Sequence, residues 1–592
     1  MLTEWLSGNI IAFLVPLIPL LPYLAVFAIV FAGLIRKSYR YNAWIGVFAN
    51  LISWIISMIV LLYSVFQYIG NTSAGFPEME IHVLDWFGGQ SFGWTVQIGF
   101  LVDGLSVIMI SLVSTLSLLI QIYGVAYMEG EEGLKSGRYN AEINLFVGSM
   151  LLLSLSGNFL LFFIGWELMG VCSYLLIGFF TKKEETNAKG QIINKPASAA
   201  KKAFMITKLG DILLMAGFML FFWEMLKNGV ADPLNFASTR SAMAANGGII
   251  SNNIQTLIAL LLLGGAVGKS AQFPLHIWLP DAMEGPTTVS ALIHSATMVK
   301  AGVFLVARTY YIFEGTDALL IVAIIGGFTA IFAATMAFTA NDIKRVLAYS
   351  TISQLGYMFL GLGVYSLTAG MFHLISHSIF KCLLFLGAGS IIHAVHSNDM
   401  RDMGGLKKYM KWTRYTFLAG GIGLSGIIPA NGFFSKDAVI GSAFAKWIGS
   451  GDMAYFIVAS FGLITALLTG FYFFRMYYQV FEGEYRGKAK VVEEEPKHEE
   501  EVHHAEPHEA PILMRMPLIV LGSLVFITGF LSLDGLLQNV IGFSFTEALG
   551  SLGHLNVLNE HVLSDILHHW LLFPEAATEI DVHSWVNWLF II

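Results

Sequence analysis

Long apolar stretches recur along this chain from its N-terminus to about residue 533. Each is about 20 residues long, which is the length that a helix needs to cross the ~30 Å hydrocarbon layer of a membrane. Short segments of alternating polar and apolar residues, which a membrane barrel requires, do not recur in this way. The pattern therefore predicts an all-α polytopic membrane protein.

The apolar pattern predicts about fourteen transmembrane helices. These cover residues 9–35, 43–68, 101–127, 142–156, 158–180, 198–223, 254–283, 287–312, 318–338, 346–366, 370–394, 413–445, 455–481 and 511–533. Of the 33 basic residues, 24 lie in alternate loops on one side and four in the loops on the other side. Because cytoplasmic loops carry the excess of Lys and Arg, this asymmetry predicts an N-terminus on the outer side.

Two of the predicted helices contain residues that interrupt helices. One carries Gly264, Gly265, Gly268 and Pro274, and the other, at 413–445, contains GGIGLSGIIPANGFFSKDAV. Two broken helices in corresponding halves of a chain indicate an ion site in a transporter built from inverted repeats. We expect N-terminal membrane helices with an exposed loop at 1–141, repeats at 142–312 and 313–481, a charged cytoplasmic loop at 482–510, and a C-terminal helix with an irregular tail at 511–592.

The composition supports this class and excludes others. The chain is 56% hydrophobic and 12% charged, with a mean hydropathy of +0.68, whereas soluble domains are about 25% charged. Its two cysteines, Cys172 and Cys382, are far apart in the sequence, so they predict neither a disulfide framework nor an iron–sulfur cluster held by this chain alone. The first apolar segment lacks a preceding basic region and is interpreted as a retained helix.

Titratable side chains inside the predicted helices are the candidate functional groups. A lysine at a helix centre costs roughly 2.5–3.5 kcal/mol on insertion, so each lysine there needs a partner or a function. Five lysines lie inside predicted helices: Lys208, Lys269, Lys300, Lys381 and Lys436. Glu167 lies in the apolar stretch NFLLFFIGWELMGVCSYLLIGFF and is a candidate proton carrier. The alternative for Glu167 is a neutral carboxyl that is hydrogen-bonded between helices.

Lys208 and Asp211 are three residues apart, so they share one face of a helix and are expected to pair. A static ion pair and a functional pair fit this spacing about equally well. Lys269 follows the glycines at the first break and is expected near the level of Glu167. A buried lysine can change its protonation state, whereas an arginine stays charged.

A second group of titratable residues follows the first. His373, His377 and Lys381 are spaced by four residues, so they lie along one side of a single helix, and His294 and Lys300 lie in an earlier helix. Histidines titrate near neutrality, so such a column joined by water predicts a proton relay. Metal binding by His373 and His377 would need a third ligand, and none is evident nearby.

The series ends at the second break, where Lys436 stands next to Asp437. Further along the chain, the acidic, histidine-rich tract at 491–510 is interpreted as a solvated linker, with loose metal binding as the alternative.

Several long motifs resemble the antiporter-like L subunit of respiratory complex I, the counterpart of mitochondrial subunit 5. They are GWELMGVCSYLLIGF at 165–179, GGAVGKSAQFPLHIWLPDAMEGPTTVSALIHSATMV at 264–299, NDIKRVLAYSTISQLGYMFLGLGV at 341–364, MFHLISHSIFKCLLFL at 371–386 and GFFSKDAV at 432–439. The resemblance covers roughly residues 10–480. It implies a subunit of the NADH:quinone oxidoreductase that moves protons along a central row of Glu, Lys and His residues.

The resemblance also implies roles and partners. The family's key glutamate falls on Glu167, its lysines and histidines fall on Lys269, His294, His373, His377 and Lys436, and Asp211 and Lys381 align with polar positions. No redox cofactor is expected in this chain, while FMN, iron–sulfur clusters and quinone are expected in its partners. Those partners would be an M-type antiporter-like neighbour, subunits of the N, K, J, A and H types and a peripheral redox arm, in a bacterial inner membrane and without nucleic acid.

The chain departs from the family pattern in two places. L subunits usually carry an uncharged residue at the position of Lys300, whereas the sister M and N subunits have a lysine in that helix. The family also continues after its fourteenth helix with another crossing, a long lateral helix and an anchor, and nothing after residue 533 is long enough to supply them. We therefore expect a shortened chain, a remainder on another polypeptide, or a different mode of coupling.

Two other functions fit parts of the sequence. A subunit of an Mrp-type cation/proton antiporter shares the broken-helix motifs, although GVCSY after GWELM favours complex I. A quinone-binding redox enzyme, with Trp86 or Trp94 near the quinone, is the third hypothesis, and no sequence feature requires it. A G-x-G-x-x-G spacing occurs at Gly421, Gly423 and Gly426, but it lies inside a predicted membrane helix and not between a strand and a helix, so it predicts no nucleotide loop and the electron chemistry is again assigned to partners.

Overall fold

The computed structural model describes residues 8–35, 39–70, 77–89, 94–129, 134–181, 185–186, 192–193, 195–245, 249–487 and 507–529. These residues are mostly helical. The predicted tail after residue 533 and most of the linker at 491–510 lie outside the described residues.

The first half of the chain forms nine helices and two hairpins within the described residues. The helices are α1 Gly8–Leu14, α2 Leu17–Ile35, α3 Tyr39–Gly70, α4 Gly104–Tyr127, α5 Leu134–Leu155, α6 Phe159–Ile177, α7 Lys195–Lys227, α8 Phe236–Ala245 and α9 Asn252–Lys269, and the strands are β1 Met79–Gly89, β2 Trp94–Val102, β3 Glu185–Thr186 and β4 Ile192–Ile193. Helix α9 packs along α7, and α6 packs between α5 and α7.

The second half continues the bundle. Its helices are α10 Thr287–Ala291, α11 Met298–Arg308, α12 Tyr310–Phe313, α13 Ala318–Thr339, α14 Ile343–Gly363, α15 Leu367–Val395, α16 Lys411–Ser425, α17 Asn431–Ser450, α18 Met453–Phe481 and α19 Ile512–Ile527. A five-residue π-helical segment, Leu292–Ala296, joins α10 to α11. Helix α15 lies at the centre of this half, where it contacts α14, α16, α17 and α19.

The membrane class predicted from the sequence is confirmed. Among the described residues, nine helical segments are long and apolar enough to cross a membrane. The number fourteen stays a prediction, because several of the expected crossings correspond to helices that do not meet this test. The interrupted helix predicted at 413–445 consists of two helices, α16 and α17, with a turn at Gly426, whose φ is +76°. Glycine adopts this backbone conformation readily, whereas other residues do not.

The exposed loop predicted within 1–141 contains regular structure that the all-α prediction lacked. Strands β1 and β2 pair antiparallel, with Met79 opposite Val102 and Gly89 opposite Trp94. Their sequences, MEIHVLDWFGG and WTVQIGFLV, are rich in β-branched and aromatic residues, which favour strands. Only part of each strand is buried, so neither strand has the long apolar run that indicates a membrane helix.

Close approach of helix backbones holds the second half together. A Cβ atom added at Gly326 of α13 would lie 2.6 Å from the carbonyl oxygen of Gly356 in α14. Small residues allow this approach, which strengthens van der Waals packing where lipid provides no hydrophobic driving force between helices.

A buried ion pair joins the hairpin to the bundle. Asp103, directly after β2, accepts hydrogen bonds from Nη1 and Nη2 of Arg308 at the end of α11, and from the backbone N–H of Ser106 at 2.9 Å. Burial alone raises the pKa of the Asp103 carboxyl, but the Arg308 charge and these hydrogen bonds outweigh burial and hold the pKa below its usual value. Asp103 therefore stabilises the fold above its unfolded pKa of about 3.9, and this stabilisation is lost as the pH falls through the lower folded value.

We expect Arg308→Ala to lower the stability of the detergent-solubilised protein by about 3–5 kcal/mol, because it leaves the largely buried Asp103 carboxylate without its cation. The thermal unfolding midpoint measures this change. The matched control is Arg401→Ala, which removes an exposed arginine from its pair with the partly exposed Asp399 and should change the midpoint little. Equal midpoints for the two variants would contradict the role given to the Arg308 pair.

Candidate functional site

The first break places Lys269 in the interior. Helix α9 ends at Lys269, and residues 270–286 form turns and a short 3-10 helix instead of continuing it. The Trp278 indole N–H donates to the Gly268 carbonyl oxygen at 3.1 Å, and the Ser270 hydroxyl donates to the Val299 carbonyl oxygen at 2.8 Å. The helix end is thereby fixed, and the Lys269 side chain is completely buried.

Four of the predicted site residues form one charged cluster, which we call the proximal cluster: Glu167, Lys208, Asp211 and Lys269. The Lys208 ammonium pairs with Glu167 and lies 3.3 Å from Asp211 Oδ2. The same Asp211 oxygen lies 3.8 Å from Lys269 Nζ. The expected Lys208 and Asp211 pair therefore exists, as part of a larger network. Two carboxylates and two ammonium groups balance each other, which offsets the cost of burying charge.

The proximal cluster also has a member that the sequence prediction missed. The Trp166 indole N–H donates to Asp211 Oδ1 at 2.6 Å, and the Trp166 carbonyl oxygen accepts from Lys269 Nζ at 3.3 Å. The Lys269 ammonium also lies 5.5 Å from the centre of the Trp166 ring, within the range of a cation–π contact. A tryptophan in an apolar stretch carries no sequence signal for such a role beyond its position next to Glu167.

The next predicted residues lie around the π-helical segment. His294 lies in this segment, is fully buried and stacks on Phe385 with ring centres 4.8 Å apart. Neither ring nitrogen of His294 has a hydrogen-bond partner among the described residues. Lys300, at the start of α11, reaches across to α15, where its Nζ lies 2.5 Å from His377 Nδ1. Irregular π-helical turns of this kind are frequent at functional sites.

The remaining predicted residues face different neighbours. His373 Nδ1 lies 3.0 Å from the Ser435 hydroxyl, and Lys381 donates to the Ser350 hydroxyl and to the Leu347 carbonyl oxygen. At the second break, Lys436 Nζ donates across the gap to the Leu424 carbonyl oxygen at 2.6 Å. Asp437, next to Lys436, is 7% exposed. Lys436 thus links the start of α17 to the end of α16.

The structure gathers the predicted residues into groups rather than one directly bonded chain. Direct contacts connect the members of the proximal cluster with one another. Other direct contacts connect Lys300 to His377 and connect the two ends of the second break. The ammonium groups of three buried lysines, Lys300, Lys381 and Lys436, have no carboxylate within 4.0 Å in the described part of the chain. We call the complete set, from Glu167 to Lys436, the titratable row.

Several buried polar atoms of the titratable row lack protein partners. They include Nε2 of His294, His373 and His377 in the described residues, and the Ser376 and Ser425 hydroxyls nearby are in the same state. Buried polar atoms of this kind are normally hydrogen-bonded to water. Ordered water is therefore the expected partner of these atoms.

Potential metal ligands are dispersed in the described part of the chain. No group of three or more His, Cys, Asp or Glu residues there is arranged to hold a metal ion. Cys172 on α6 and Cys382 on α15 are both buried and unpaired by disulfide.

Two further lysines, Lys344 and Lys202, make polar contacts with the irregular segment that follows the first break. The Lys344 ammonium donates to the carbonyl oxygens of Met283 at 2.5 Å and Gly285 at 2.8 Å, and Lys202 pairs with Asp281 at 2.6 Å. The sequence prediction assigned these lysines only to loops. Their partners are mainly backbone carbonyls, which leave no signal in a sequence.

Residues 156–469 match the family described as NADH:quinone oxidoreductase/Mrp antiporter, and residues 86–136 match the chain 5 N-terminus of NADH-ubiquinone oxidoreductase (complex I). The chain is 41% identical to the F(420)H(2) dehydrogenase subunit L of Methanosarcina mazei, over 89% of this chain and 75% of that protein. It is 42% identical to the NAD(P)H-quinone oxidoreductase chain 5 of a Picosynechococcus species, over 82% and 72%.

A third relative, the NADH-quinone oxidoreductase subunit L of Neisseria meningitidis serogroup B, is 40% identical over 81% of this chain and 70% of that protein. Among solved structures, the Mrp complex from Dietzia sp. contains a chain with a TM-score of 0.67 and 22% identity. The match covers 97% of this chain and 59% of the Dietzia chain. At that identity, the likeness shows a shared fold.

The two kinds of buried lysine should respond differently to substitution. We expect Lys300→Met to leave the thermal unfolding midpoint unchanged or raise it, because a buried ammonium without a carboxylate partner costs more than its one histidine contact returns. Lys344→Met should lower stability by roughly 1.5–3 kcal/mol, because two buried carbonyls lose a charged donor. A clear loss of stability in Lys300→Met, equal to that in Lys344→Met, would show that Lys300 is a structural residue.

Proposed function

The chain belongs to the NADH:quinone oxidoreductase/Mrp antiporter family, as one of its L-type (chain 5) proton-translocating membrane subunits, and we propose that protons move along the titratable row. The observation that carries this proposal is the proximal cluster, in which Asp211 Oδ2 lies 3.3 Å from Lys208 and 3.8 Å from Lys269. A carboxylate shared by two lysines can exchange partners when either lysine or Glu167 changes its proton occupancy.

Such an exchange would change the charge that the next groups experience. Lys269 lies at the end of α9, and Lys300, His377, Lys381 and Lys436 follow through the interior of the second half. In a low-dielectric interior, charges interact over longer distances than in water, so a change at one end of the row alters proton affinity further along. Redox energy released in partner subunits would drive the first change.

The electron chemistry then belongs to partners that carry FMN, iron–sulfur clusters and quinone. The relatives support this division, because a subunit of an F(420)H(2) dehydrogenase and subunits of NAD(P)H-quinone oxidoreductases are similarly close in sequence. One kind of membrane subunit can therefore serve enzymes with different electron donors. Cys172 and Cys382, on separate helices, provide no cluster site.

The proposed architecture is two inverted repeats within fourteen crossings. The supporting observation is that a buried lysine lies at each interruption, Lys269 where α9 ends and Lys436 at the start of α17. We propose a bacterial inner membrane as the location, with the N-terminus outside and the lysine-rich loops in the cytoplasm.

The proposed neighbour is an M-type antiporter-like subunit on the face that carries Glu167 and Lys208. Both side chains are 28% exposed on this chain. Met205, Leu209 and Ile212 of α7, the helix that carries Lys208, are also exposed. An ion pair at membrane depth is costly against lipid, so a protein surface is expected to cover it. The N, K, J, A and H types and the peripheral redox arm would complete the assembly.

The second candidate function is cation/proton exchange in an Mrp-type complex, which is favoured by the shared fold with the Dietzia Mrp complex. Purification in mild detergent separates the two candidates. We expect flavin-containing and iron–sulfur subunits to copurify with the chain. Copurification with antiporter subunits alone, together with sodium-dependent proton exchange in vesicles without NADH, would favour the Mrp function instead.

We expect Glu167→Gln and Lys269→Ala to lower NADH-driven proton pumping by roughly tenfold or more, because each removes a group that must gain and lose a proton. Turnover should fall with pumping, and the complex should still assemble on native gels. Pumping is measured by quenching of a pH-sensitive dye in inverted membrane vesicles. The matched control is Glu224→Gln, which changes a carboxyl on α7 outside the row. Normal pumping in the assembled Glu167 and Lys269 variants would remove both residues from the mechanism.

A further inference from the structure

Trp166 contacts more members of the proximal cluster than packing requires. The side chain is fully buried and stacks on Phe162, with ring centres 5.9 Å apart, a contact that a phenylalanine could also make. Its indole N–H, however, points to Asp211 Oδ1 at 2.6 Å. Hydrogen bonds to an ionised acceptor are shorter and stronger than neutral ones, so this bond fixes the orientation of the carboxylate.

The orientation of Asp211 decides which lysines it can reach. With Oδ1 held by Trp166, Oδ2 faces Lys208 at 3.3 Å and Lys269 at 3.8 Å. These distances differ by little, so neither lysine holds the carboxylate alone. The side chain of Asp211 is 4% exposed, so bulk solvent has little access to these contacts.

We propose that Trp166 is a positioning residue that keeps Asp211 shared between Lys208 and Lys269, and so couples the partly exposed end of the proximal cluster to the first break. This inference rests on the proposed function of the titratable row. Trp166 does not itself exchange a proton in this scheme. It holds the carboxylate at the point where a change at Glu167 and Lys208 is passed to Lys269.

The role depends on the indole N–H and not on the ring. Without the donor, the Asp211 carboxylate is free to rotate, and one lysine can then take both of its oxygens. An ion pair fixed on one lysine no longer responds to the other. The backbone contact between Lys269 and the Trp166 carbonyl oxygen would persist, since it does not involve the side chain.

The test compares Trp166→Phe with a matched loss of an indole N–H elsewhere. Trp54 is half-buried on α3, and its indole N–H donates to the Thr115 hydroxyl at 3.0 Å, away from the titratable row. In the assembled complex, we expect Trp166→Phe to lower NADH-driven pumping roughly tenfold, the scale of one lost hydrogen bond to a charged group. Trp54→Phe should leave pumping within about twofold of the wild type.

Two further variants distinguish positioning from packing. Trp166→His keeps a ring N–H donor in a smaller side chain, so it should pump better than Trp166→Phe, whereas a packing role predicts that it pumps worse. In an Asp211→Asn background, Trp166→Phe should have little additional effect, because the shared charge is already absent. If Trp166→Phe fails to assemble, the comparison of Trp166→His with the wild type and with Asp211→Asn still decides the question.

The outcomes separate this inference from the function on which it rests. Normal pumping in Trp166→Phe, or losses that multiply fully with Asp211→Asn, would overturn the positioning role while Glu167→Gln and Lys269→Ala still stop pumping. If those two variants also pump normally, the row itself is not the proton path.

Discussion

Burying an ionised side chain in an apolar interior costs several kcal/mol unless opposite charge and hydrogen bonds offset the cost, and this constraint organises the whole molecule. Near α6, α7 and α9 the chain satisfies it with two carboxylates and two lysines, arranged around the Trp166 indole. Further along the row, Lys300, Lys381 and Lys436 meet histidine, hydroxyl and carbonyl groups instead. The free-energy cost of an added charge is therefore low in the first region and high in the second.

This difference suits a protein that moves protons through changes in the protonation state of its side chains. In the proximal cluster, a proton that arrives or leaves changes the net charge by one, and the ion pairs can rearrange around that change. In the second half, a proton gained by one group raises the cost of a proton on the next. The two interrupted helices place Lys269 and Lys436 at the points where these regions open to irregular backbone, which is tolerated at membrane depth only inside protein or beside water.

Much of the site followed from spacing along single helices. The three-residue separation of Lys208 and Asp211 predicted their pairing, and the glycines before Lys269 correctly located the end of α9. Contacts between helices were not predictable in this way. Lys300 meets His377, and Trp166 meets Asp211, because of how α6, α7, α11 and α15 pack, and packing leaves no periodic signal in one sequence. The hairpin formed by β1 and β2 was not predicted, because its partly buried strands are shorter than the apolar stretch that indicates a membrane helix.

The central claim is that water joins the groups of the titratable row into one path. An electron cryo-microscopy map of the assembled complex, at a resolution that shows ordered water, tests this claim most directly. The account predicts water molecules between Lys269 and the pair formed by Lys300 and His377, and again between His377, Lys381 and Lys436. Close apolar packing that fills these intervals, or lysine side chains turned toward lipid, would contradict it.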